Sequence, residues 1–383
     1  MIRWSTTGSR SEDDLGWLMR DVLILGGYGN FGKRIAVALA HYNIPLIIAG
    51  RSQDKAEALA TQLRREGNGN IRAIALDAES NLERHLQELK PAVVVNTCGP
   101  FQNKDYRIAE ACLRQKVHYV DLADGREFVN GIARLDPAAK AAGVCVISGA
   151  STVPALSSAV VDFYKGEFSE IEELEFGISP GQKTERGLAT TEGILTYVGK
   201  KLKPARGDQK PRYGWQDLYR QPYPSLGYRW MANCDIPDLD LLPERYGIQK
   251  IHFSAGLESR ILHFGMFALS WLVRLGLPVN LAQHAPFLLR ASHWFDRFGT
   301  DDGGMHVIIR GKNHAGAVHE RRWFIIATKG DGPQIPCVPA ILIAKKLAQG
   351  QPLQPGAYPC VGVVGLQEYL GELARFAVKT FDG

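Results

Sequence analysis

The sequence lacks the spaced cysteines and histidines that mark metal centres and disulfide frameworks. Its six cysteines are scattered and form no C-x-x-C pair, which argues against a zinc site or a disulfide scaffold and fits a reducing cytoplasm. The ten histidines include no H-E-x-x-H pattern, the spacing with which one helix face presents two zinc ligands. We therefore expect no metal centre.

Strong charge and long apolar runs are also missing. The formal net charge of +5 is small for 383 residues and gives no case for nucleic-acid binding. Residues 1–20 are polar and contain no apolar core of a signal peptide, so we expect a cytoplasmic protein. The segment from Ile261 to Val279 is the most apolar, but His263, Arg274 and Pro278 make it a poor membrane span. A buried or interface helix is the better interpretation, and peripheral contact with a membrane surface stays open.

What the sequence does contain is a glycine-rich turn between a strand and a helix. Val22 to Leu25 is a short apolar run typical of a buried parallel strand, and residues 33–40 have helical spacing. The turn between them matches G-x-G-x-x-G, whose glycines permit a tight turn, let a pyrophosphate approach and let helix pack on strand. We expect it to bind a dinucleotide at the helix N-terminus; the alternative is a turn that binds nothing. The predicted residues are Gly27, Tyr28, Gly29, Asn30, Phe31 and Gly32.

The order of the predicted elements indicates the fold class. Strands and helices alternate through the first 150 residues, which predicts a doubly wound parallel Rossmann sheet of six strands. Later segments predict a second α+β domain with an open, mainly antiparallel sheet, including a strand pair from Met305 to Gly311 and from Ala317 to Thr328. The expected organisation is an N-terminal leader over 1–20, a Rossmann domain over 21–150, a substrate and dimerisation domain over 151–335, and C-terminal helices over 336–383 that pack back on the Rossmann domain.

The end of the second strand selects between NAD and NADP. An acidic residue there accepts a hydrogen bond from the ribose 2′-hydroxyl, whereas an arginine holds a 2′-phosphate through paired charge-assisted bonds. Here the run from Leu46 to Ala49 leads to Gly50, Arg51 and Ser52, with no carboxylate before Asp54. We therefore predict NADP rather than NAD, with Arg51 and the hydroxyl and N–H of Ser52 at the phosphate. The alternative is that Arg51 is only a solvated surface residue.

Two further strand ends are candidates for the cofactor site, because ligands of open parallel sheets bind outside the carboxyl ends of the strands. Asp77 follows the third strand, where it could accept from the adenine amino group or cap the next helix. The fourth strand ends in Asn96, Thr97, Cys98 and Gly99. These four residues could lie against the nicotinamide-side ribose, or form a simple turn.

Groups that could carry chemistry are few. Hydride transfer to C=N, C=O or C=C asks for an acid near the nicotinamide, and no Tyr-x-x-x-Lys pair stands in a suitable place. Asp121, at the end of the fifth strand, could relay a proton or orient a substrate amine, or it could cap the following turn. Ser151 enters the second domain and could bind substrate or cap a helix. Lys183 and Arg186 lie in a basic, glycine-bearing loop that could clamp an anionic group or be merely solvated.

These motifs resemble those of the saccharopine dehydrogenase-like oxidoreductases. Gly26 to Gly32 is similar to their nucleotide turn, Val95 to Phe101 to their fourth-strand loop, and His118 to Leu122 to their fifth-strand signature. The likeness is to the bacterial branch that includes trans-acting enoyl reductase-type proteins. It implies an NADP-binding Rossmann domain, an inserted α+β catalytic domain and often a dimer. One departure is that Arg126-Glu127 stands where the family often has Gly-Glu, which puts any substrate contact of that glutamate in doubt.

The sequence thus predicts an NADP-dependent oxidoreductase that transfers hydride to or from a small or moderately apolar substrate in an interdomain cleft. The alternative is a non-catalytic NADP(H)-binding sensor or accessory protein, which the missing acid–base pair would fit. Because an open antiparallel sheet leaves edges and a face uncovered, we also predict a homodimer through the second domain. The expected partners are a small-molecule substrate and a second copy of the chain, with no nucleic acid.

Overall fold

The computed structural model describes residues 19–67, 69–276 and 278–383, so most of the expected leader lies outside the described residues. The strands are β1 (Val22–Leu25), β2 (Leu46–Gly50), β3 (Ile71–Ala75), β4 (Val93–Asn96), β5 (His118–Asp121), β6 (Cys145–Ser148), β7 (Glu170–Ser179), β8 (Tyr219–Tyr223), β9 (Gly227–Asn233), β10 (Lys250–Ala255), β11 (Gly303–Lys312), β12 (Val318–Ala327), β13 (Gly356–Pro359) and β14 (Val378–Asp382). The α-helices are α1 (Asn30–His41), α2 (Gln53–Arg65), α3 (Leu82–Leu89), α4 (Arg107–Arg114), α5 (Arg126–Gly131), α6 (Asp136–Ala142), α7 (Ser157–Tyr164), α8 (Leu188–Leu195), α9 (Asp238–Tyr246), α10 (Arg260–Arg274), α11 (Ala285–Ser292), α12 (Val338–Ala348) and α13 (Leu366–Leu373).

The first sheet is the predicted Rossmann sheet. Its order is β13-β6-β5-β4-β1-β2-β3 and every pairing in it is parallel. Both faces are covered, because successive residues of β1 alternate between two hydrophobic clusters, Val22 and Ile24 in one, Leu23 and Leu25 in the other. The continuous branched runs of the central strands are what such double burial requires, and the doubly wound prediction is confirmed.

The seventh strand of this sheet was not predicted. Strand β13 comes from the C-terminal tail and pairs in parallel with β6 at the sheet edge. Its four residues include a glycine and a proline, which is compatible with an edge strand but gives no strand signal in the sequence. Helix α12, also from the tail, packs against β4 and β5. The tail therefore completes one edge of the first sheet and covers part of one face.

The second sheet is open and mainly antiparallel, as predicted. Its order is β14-β12-β11-β7-β10-β9-β8, and only β7 and β10 run parallel to each other. The predicted antiparallel pair corresponds to β11 and β12. The segment 203–250, rich in proline and aromatic residues, contains β8, β9 and α9. Strand β14, from the tail, was also not predicted.

One hydrophobic core joins the two sheets. Leu174 and Phe176 of β7 belong to the same buried cluster as Val22 and Ile24 of β1 and Ile341 of α12. The two halves are therefore packed into one body, which fixes the position of the cleft between them. None of the described helices is long and apolar enough to cross a membrane, and no group of three metal-ligating side chains occurs among the described residues.

Candidate functional site

The glycine turn between β1 and α1 has the close packing that its pattern predicts. Gly26 has φ +73°, a left-handed conformation that favours glycine. A Cβ on Gly32 would lie 2.2 Å from the Gly26 carbonyl oxygen and 2.8 Å from the Gly27 Cα. Because both neighbours are backbone atoms, helix α1 can approach the turn this closely only with glycine at position 32.

Gly29 has a different environment from Gly32. It is the N-cap of α1, and a Cβ built on it would meet only the Gly26 carbonyl oxygen, at 3.1 Å. No other described atom outside the neighbouring residues lies within 4 Å of that Cβ position. This leaves the space that a pyrophosphate needs to approach the backbone. The N–H groups of Asn30, Phe31 and Gly32 are the first of the helix and have no intrahelical acceptor. The turn therefore fits an anionic dinucleotide.

Tyr28 lies over the end of β2 and contacts Gly50 and Ser52, on either side of Arg51. A Cβ on Gly50 would lie 2.4 Å from the Tyr28 ring, so the ring rests directly on the strand. The Tyr28 hydroxyl accepts from the Ser52 N–H at 3.0 Å, and the Ser52 hydroxyl caps α2 by accepting from the Lys55 N–H at 3.4 Å. The two Ser52 groups predicted to hold a phosphate are therefore both engaged within the chain.

Arg51 remains available at the same place. Its side chain is exposed and makes no ion pair with any described residue. Asp77 is also exposed, and one of its carboxylate oxygens accepts from the Glu79 N–H at 3.1 Å. This contact closes a turn before α3, whose N-cap is Asn81 rather than Asp77, so neither interpretation of Asp77 gains support. Arg51 keeps an uncompensated positive charge at the end of β2.

The β4 loop is held by its own side chains. The Asn96 amide donates to the Tyr119 hydroxyl at 3.0 Å, and its oxygen accepts from the Cys98 N–H at 3.0 Å. The Thr97 hydroxyl donates to the Leu25 carbonyl at 2.8 Å, which ties the loop to the strand before the glycine turn. Asn96 is buried, whereas Cys98 is exposed and its sulfur lies 3.1 Å from a Cβ placed on Gly26. The loop is therefore rigid and borders the turn, with backbone and Cys98 as its accessible parts.

Asp121 is inside the protein and does not line the cleft. It is fully buried, and one carboxylate oxygen accepts from the Ser148 hydroxyl and from the N–H groups of Ala123 and Gly149, each at 2.9 Å. Burial raises the pKa of Asp121 to about 6. These bonds join the ends of β5 and β6, so the geometry favours the capping alternative over the proposed catalytic role.

A large apolar cavity lies between the two sheets and next to the start of α1. Its volume is about 640 Å³. The first domain contributes Asn30 and Phe31, the helical turn after β6 contributes Thr152, and the turn before α12 contributes Pro333 and Ile335. The second domain supplies the remaining walls from β7, β11, β12, α8, α10 and α11, including Ile178, Leu195, Met266, Leu269, Leu288 and Met305. The cavity is therefore lined mainly by hydrocarbon and reaches the glycine-turn helix.

Two buried polar atoms in the cavity wall have no partner. They are the Thr184 hydroxyl oxygen and the Arg186 Nε. Each would be satisfied by a polar group on a bound molecule, because a buried donor without a partner is costly. Thr184 was not selected from the sequence, since a lone threonine in a loop carries no signal, and only the folded loop directs it inward.

The basic loop is not the open cationic clamp that we expected. Arg186 forms an ion pair with Asp296 at 2.5 Å and donates to the Gln182 carbonyl at 2.5 Å, so its charge is already compensated. Lys183 is exposed and does not line the cavity. The loop instead contacts helix α1, because Glu185 forms an ion pair with Arg34 at 3.0 Å. The Arg186 end is a wall of the cavity, and the clamp interpretation loses its support.

Ser151 and Glu127 also differ from the sequence expectations. The Ser151 side chain makes no capping hydrogen bond to the short helical turn that follows it, so the capping alternative is not supported. Glu127 is exposed, and its Oε1 lies 3.4 Å from the Lys203 Nζ. Arg126, beside it, is buried and forms ion pairs with Asp240 at 2.5 Å and with Asp235 at 2.9 Å. Arg126, which departs from the family pattern, therefore links the first domain to the second.

Comparison with known proteins agrees with the fold. Residues 22–147 match the model of the saccharopine dehydrogenase NADP binding domain. The apo histidine-tagged saccharopine dehydrogenase (L-Glu forming) from Saccharomyces cerevisiae aligns over 95% of this chain and 100% of its own, with a TM-score of 0.63 and 13% identity. Amine dehydrogenase from Mycobacterium smegmatis aligns over 90% and 95%, with a TM-score of 0.48 and 13% identity. No curated protein matched the sequence.

The family match covers the part of the chain that contains the glycine turn and the first six strands. At 13% identity, the likeness to the yeast enzyme concerns the fold alone, and it extends over both sheets. The narrower resemblance to a bacterial branch stays a prediction. The turn and the strand order agree with the family match, so residues 22–147 of this chain are similar to the saccharopine dehydrogenase NADP binding domain.

Proposed function

We propose that this chain is an NADP-dependent oxidoreductase that transfers hydride to or from an apolar substrate held in the cavity between the two sheets. The observation that carries the proposal is that an apolar cavity of about 640 Å³ reaches Asn30 and Phe31, at the start of the helix that follows the glycine turn. A hydride donor bound at the turn and a substrate in the cavity would therefore be neighbours.

The first domain fits a dinucleotide. The open Cβ direction at Gly29 and the free N–H groups at the start of α1 suit the pyrophosphate. Arg51 suits a 2′-phosphate, and the loop from Asn96 to Gly99 borders the turn from the side of β4. NADP bound there would supply the hydride at its nicotinamide ring. Preference for NADP over NAD rests on Arg51 and on the absence of a carboxylate at the end of β2.

The cavity supports a substrate with an extended apolar part and one polar centre. Its volume lies within the range of small-molecule sites, and hydrocarbon walls with a few polar groups are typical of them. The Thr184 hydroxyl and the Arg186 Nε are the buried groups left to bind a carbonyl, imine or enoyl oxygen or nitrogen. An aliphatic ketone, imine or enoyl compound would fit this lining better than a substrate with several charges.

The test is NADPH oxidation with ketone, imine and enoyl substrates in series of increasing alkyl length. We expect kcat/KM to rise with chain length until the cavity is filled, because each buried methylene contributes about 0.8 kcal/mol. Met266→Trp, which adds bulk to the cavity wall, should shorten the preferred chain. Val318→Trp, at the exposed end of β12 and outside the cavity lining, is the matched control. Turnover that favours the shortest or most charged compounds would contradict the apolar-substrate assignment.

A second candidate function is a non-catalytic NADP(H)-binding sensor or accessory protein. One observation favours it: among the described residues that line the cavity there is no histidine, lysine, aspartate, tyrosine or cysteine. Glu185 is the only carboxylate there, and it is paired with Arg34. Tight NADPH binding without oxidation by any member of the substrate series would favour this alternative.

A further inference from the structure

Helix α10 exposes an apolar stripe along its whole length. Ile261, Phe264, Trp271, Leu272 and Leu275 follow one another at spacings of three, seven, one and three residues, which places them on one side of the helix and its end. All five are exposed, Leu275 to 77% and Ile261 to 68%. A surface helix of a soluble domain normally turns such a stripe toward the core.

The exposed apolar surface continues beyond α10. Phe287 on α11, and Trp294 and Phe298 in the turn after it, are each exposed by 70% or more. Helices α10 and α11 share a hydrophobic cluster and wall the same cavity through Met266 and Leu288. We call the exposed apolar side chains of residues 261–298 the α10–α11 surface. It is far larger than the single exposed apolar residues that occur on most protein surfaces.

The other side of α10 is apolar as well. Leu262, Met266 and Leu269 line the cavity, and Ile261 of the exposed stripe also borders it, so α10 presents hydrocarbon both to the interior and to the outside. Its polar residues are the buried His263 and Ser270 and, at its ends, Arg260 and Arg274, so hydrocarbon makes up most of its surface, as in a helix of a protein core or one in contact with lipid. No described residue covers the exposed side of α10, and an exposed apolar patch of this size marks a surface for an apolar partner.

The charges around the surface show which kind of partner fits it. Arg260, Arg274, Arg290 and Arg297 are exposed, and none of them forms an ion pair with a described residue. Asp296, the one acidic residue of the segment 260–298, is already paired with Arg186. The surface therefore combines exposed aromatic and aliphatic side chains with uncompensated positive charge, the composition of interfacial segments that bind anionic lipids.

We propose that the α10–α11 surface docks on the face of an anionic lipid bilayer. Helix α10 has 15 residues and is about 22 Å long at 1.5 Å per residue, too short to span a hydrocarbon core of about 30 Å. It lies in the interface plane, with Trp271 and Trp294 among the acyl chains and the arginines at the headgroups. If the proposed function holds, the cavity directly behind these helices takes its apolar substrate from the membrane.

A second copy of the chain fits this surface less well. A twofold interface places the same patch of both subunits face to face, so four uncompensated arginines of one copy would meet the four of the other. No free acidic residue in segment 260–298 could offset that repulsion. Anionic headgroups offset it directly.

Sedimentation with lipid vesicles tests the proposal. We expect the wild-type protein to bind vesicles of phosphatidylcholine with about 30% phosphatidylglycerol and to bind less at high salt, because the headgroup attraction is screened. The double variant Leu275→Ser/Trp294→Ser should reduce the partition coefficient by about tenfold or more, since it removes two large apolar anchors. Arg290→Glu/Arg297→Glu should reduce binding to these vesicles and have little effect with pure phosphatidylcholine.

Val318→Ser is the matched control, because Val318 is an apolar residue exposed to 89% on a different element, and its binding should equal that of the wild type. Wild-type protein that stays in the supernatant, or apolar variants that bind as well as wild type, would overturn the proposal. So would a wild-type dimer that Leu275→Ser/Trp294→Ser converts to a monomer in light scattering. The vesicle assay needs no turnover, so lack of activity in a protein that binds vesicles counts against the proposed function alone.

Discussion

Gly29 and Gly32 belong to the same turn but have different surroundings. Substitutions at the two positions should therefore distinguish an effect on cofactor binding from an effect on folding. The Cβ of Gly29→Val would meet only one backbone atom of the turn, at 3.1 Å, and position 29 has an extended conformation that valine accepts. We expect the variant to fold and to lose dinucleotide binding, because its methyl groups take the space of the pyrophosphate. Fluorescence titration with NADPH measures this, and unchanged affinity would remove the basis of the proposed cofactor site.

Gly32→Ala is the informative comparison. Its Cβ would lie 2.2 Å from a backbone oxygen, so strand and helix must move apart. We expect a lower thermal midpoint for Gly32→Ala, with the loss of cofactor binding following from the damaged packing. A thermal midpoint equal to that of the wild type would show that the turn is looser than the structure indicates.

Arg51 should determine the choice between the two nicotinamide cofactors. It is the exposed, unpaired cation at the end of β2, while Ser52 is occupied by Tyr28 and by its own helix. We expect Arg51→Ala to raise the NADPH dissociation constant by about tenfold or more, the usual range for a charge-assisted phosphate contact, with little effect on NADH. Arg84→Ala, at another exposed arginine, serves as the control. A wild-type preference for NADH would contradict the assignment.

Asp238 should make stability depend on pH. Burial raises its pKa from 3.8 to about 7, so between these values the folded state binds more protons than the unfolded state. The free energy of unfolding therefore falls as pH rises from about 4 to about 7. Between pH 5 and pH 8 we expect a loss on the order of 3 kcal/mol from this group, measured by urea unfolding. Asp238→Asn should remove most of the loss, and Asp54→Asn, at an exposed aspartate of α2, should not.

Arg186, which the sequence offered as a binding group, instead links two elements of the cavity wall. Its guanidinium joins the loop after β7 to the turn after α11 through Asp296. We expect Arg186→Ala to lower turnover of the apolar substrate, since the wall loosens and the inward Nε is lost, while NADPH affinity stays nearly unchanged. Lys183→Ala, at the exposed cation of the same loop, is the control. Loss of NADPH binding by Arg186→Ala would instead place the loop in the nucleotide site, as its contact with Arg34 would allow.

Local signals explain which elements could be predicted. In the first domain, the strands are short apolar runs and the helices are amphipathic segments bounded by glycine and capping residues. Each of these patterns can be recognised from a few neighbouring residues. Strand β8 has no such pattern, and Tyr223 is held in place by the His306 side chain, whose ring nitrogen lies 2.8 Å from the tyrosine hydroxyl and comes from a distant strand. Strand β13 contains glycine and proline and depends on β6. Tertiary contacts therefore determine where strands β8 and β13 form.

The candidate site divides in the same way. The dinucleotide turn is one continuous stretch, so its glycines and Arg51 could be selected from the sequence. The cavity is built from separated segments around positions 152, 184, 266, 288 and 335, and no spacing along the chain brings these together. Asp121 stands at a strand end, as active-site groups often do, but its hydrogen bonds to Ser148 and Gly149 turn it inward, which only the fold reveals.

The whole molecule is expected to form a homodimer through the second domain. We propose that the interface lies at the edge of its sheet, where the C-terminal tail adds strand β14. Arg322 of β12 and Gly383 exchange both of their backbone hydrogen bonds. Since the hydrogen-bonded positions of an antiparallel pair alternate, the N–H groups of Phe381 and Lys379 also point toward β12. The Thr380 N–H therefore points away from the sheet and is free to pair with a second copy. We expect light scattering to give twice 42.2 kDa, and Thr380→Pro to shift the mass toward the monomer. A monomer mass for the wild type at every concentration would exclude the dimer.

The return of the tail to the first sheet has a consequence for how the protein is made. The ribosome releases residues 22–147 long before α12 and β13. The helix over β4 and β5 begins only at residue 338, and the edge strand begins only at residue 356. During that interval a strip of branched side chains and an unpaired strand edge face the solvent, the conditions that favour association of nascent chains. Efficient production should therefore depend on holdase chaperones during elongation. A chain stopped at residue 150 should accumulate as aggregate, whereas the complete polypeptide stays dispersed.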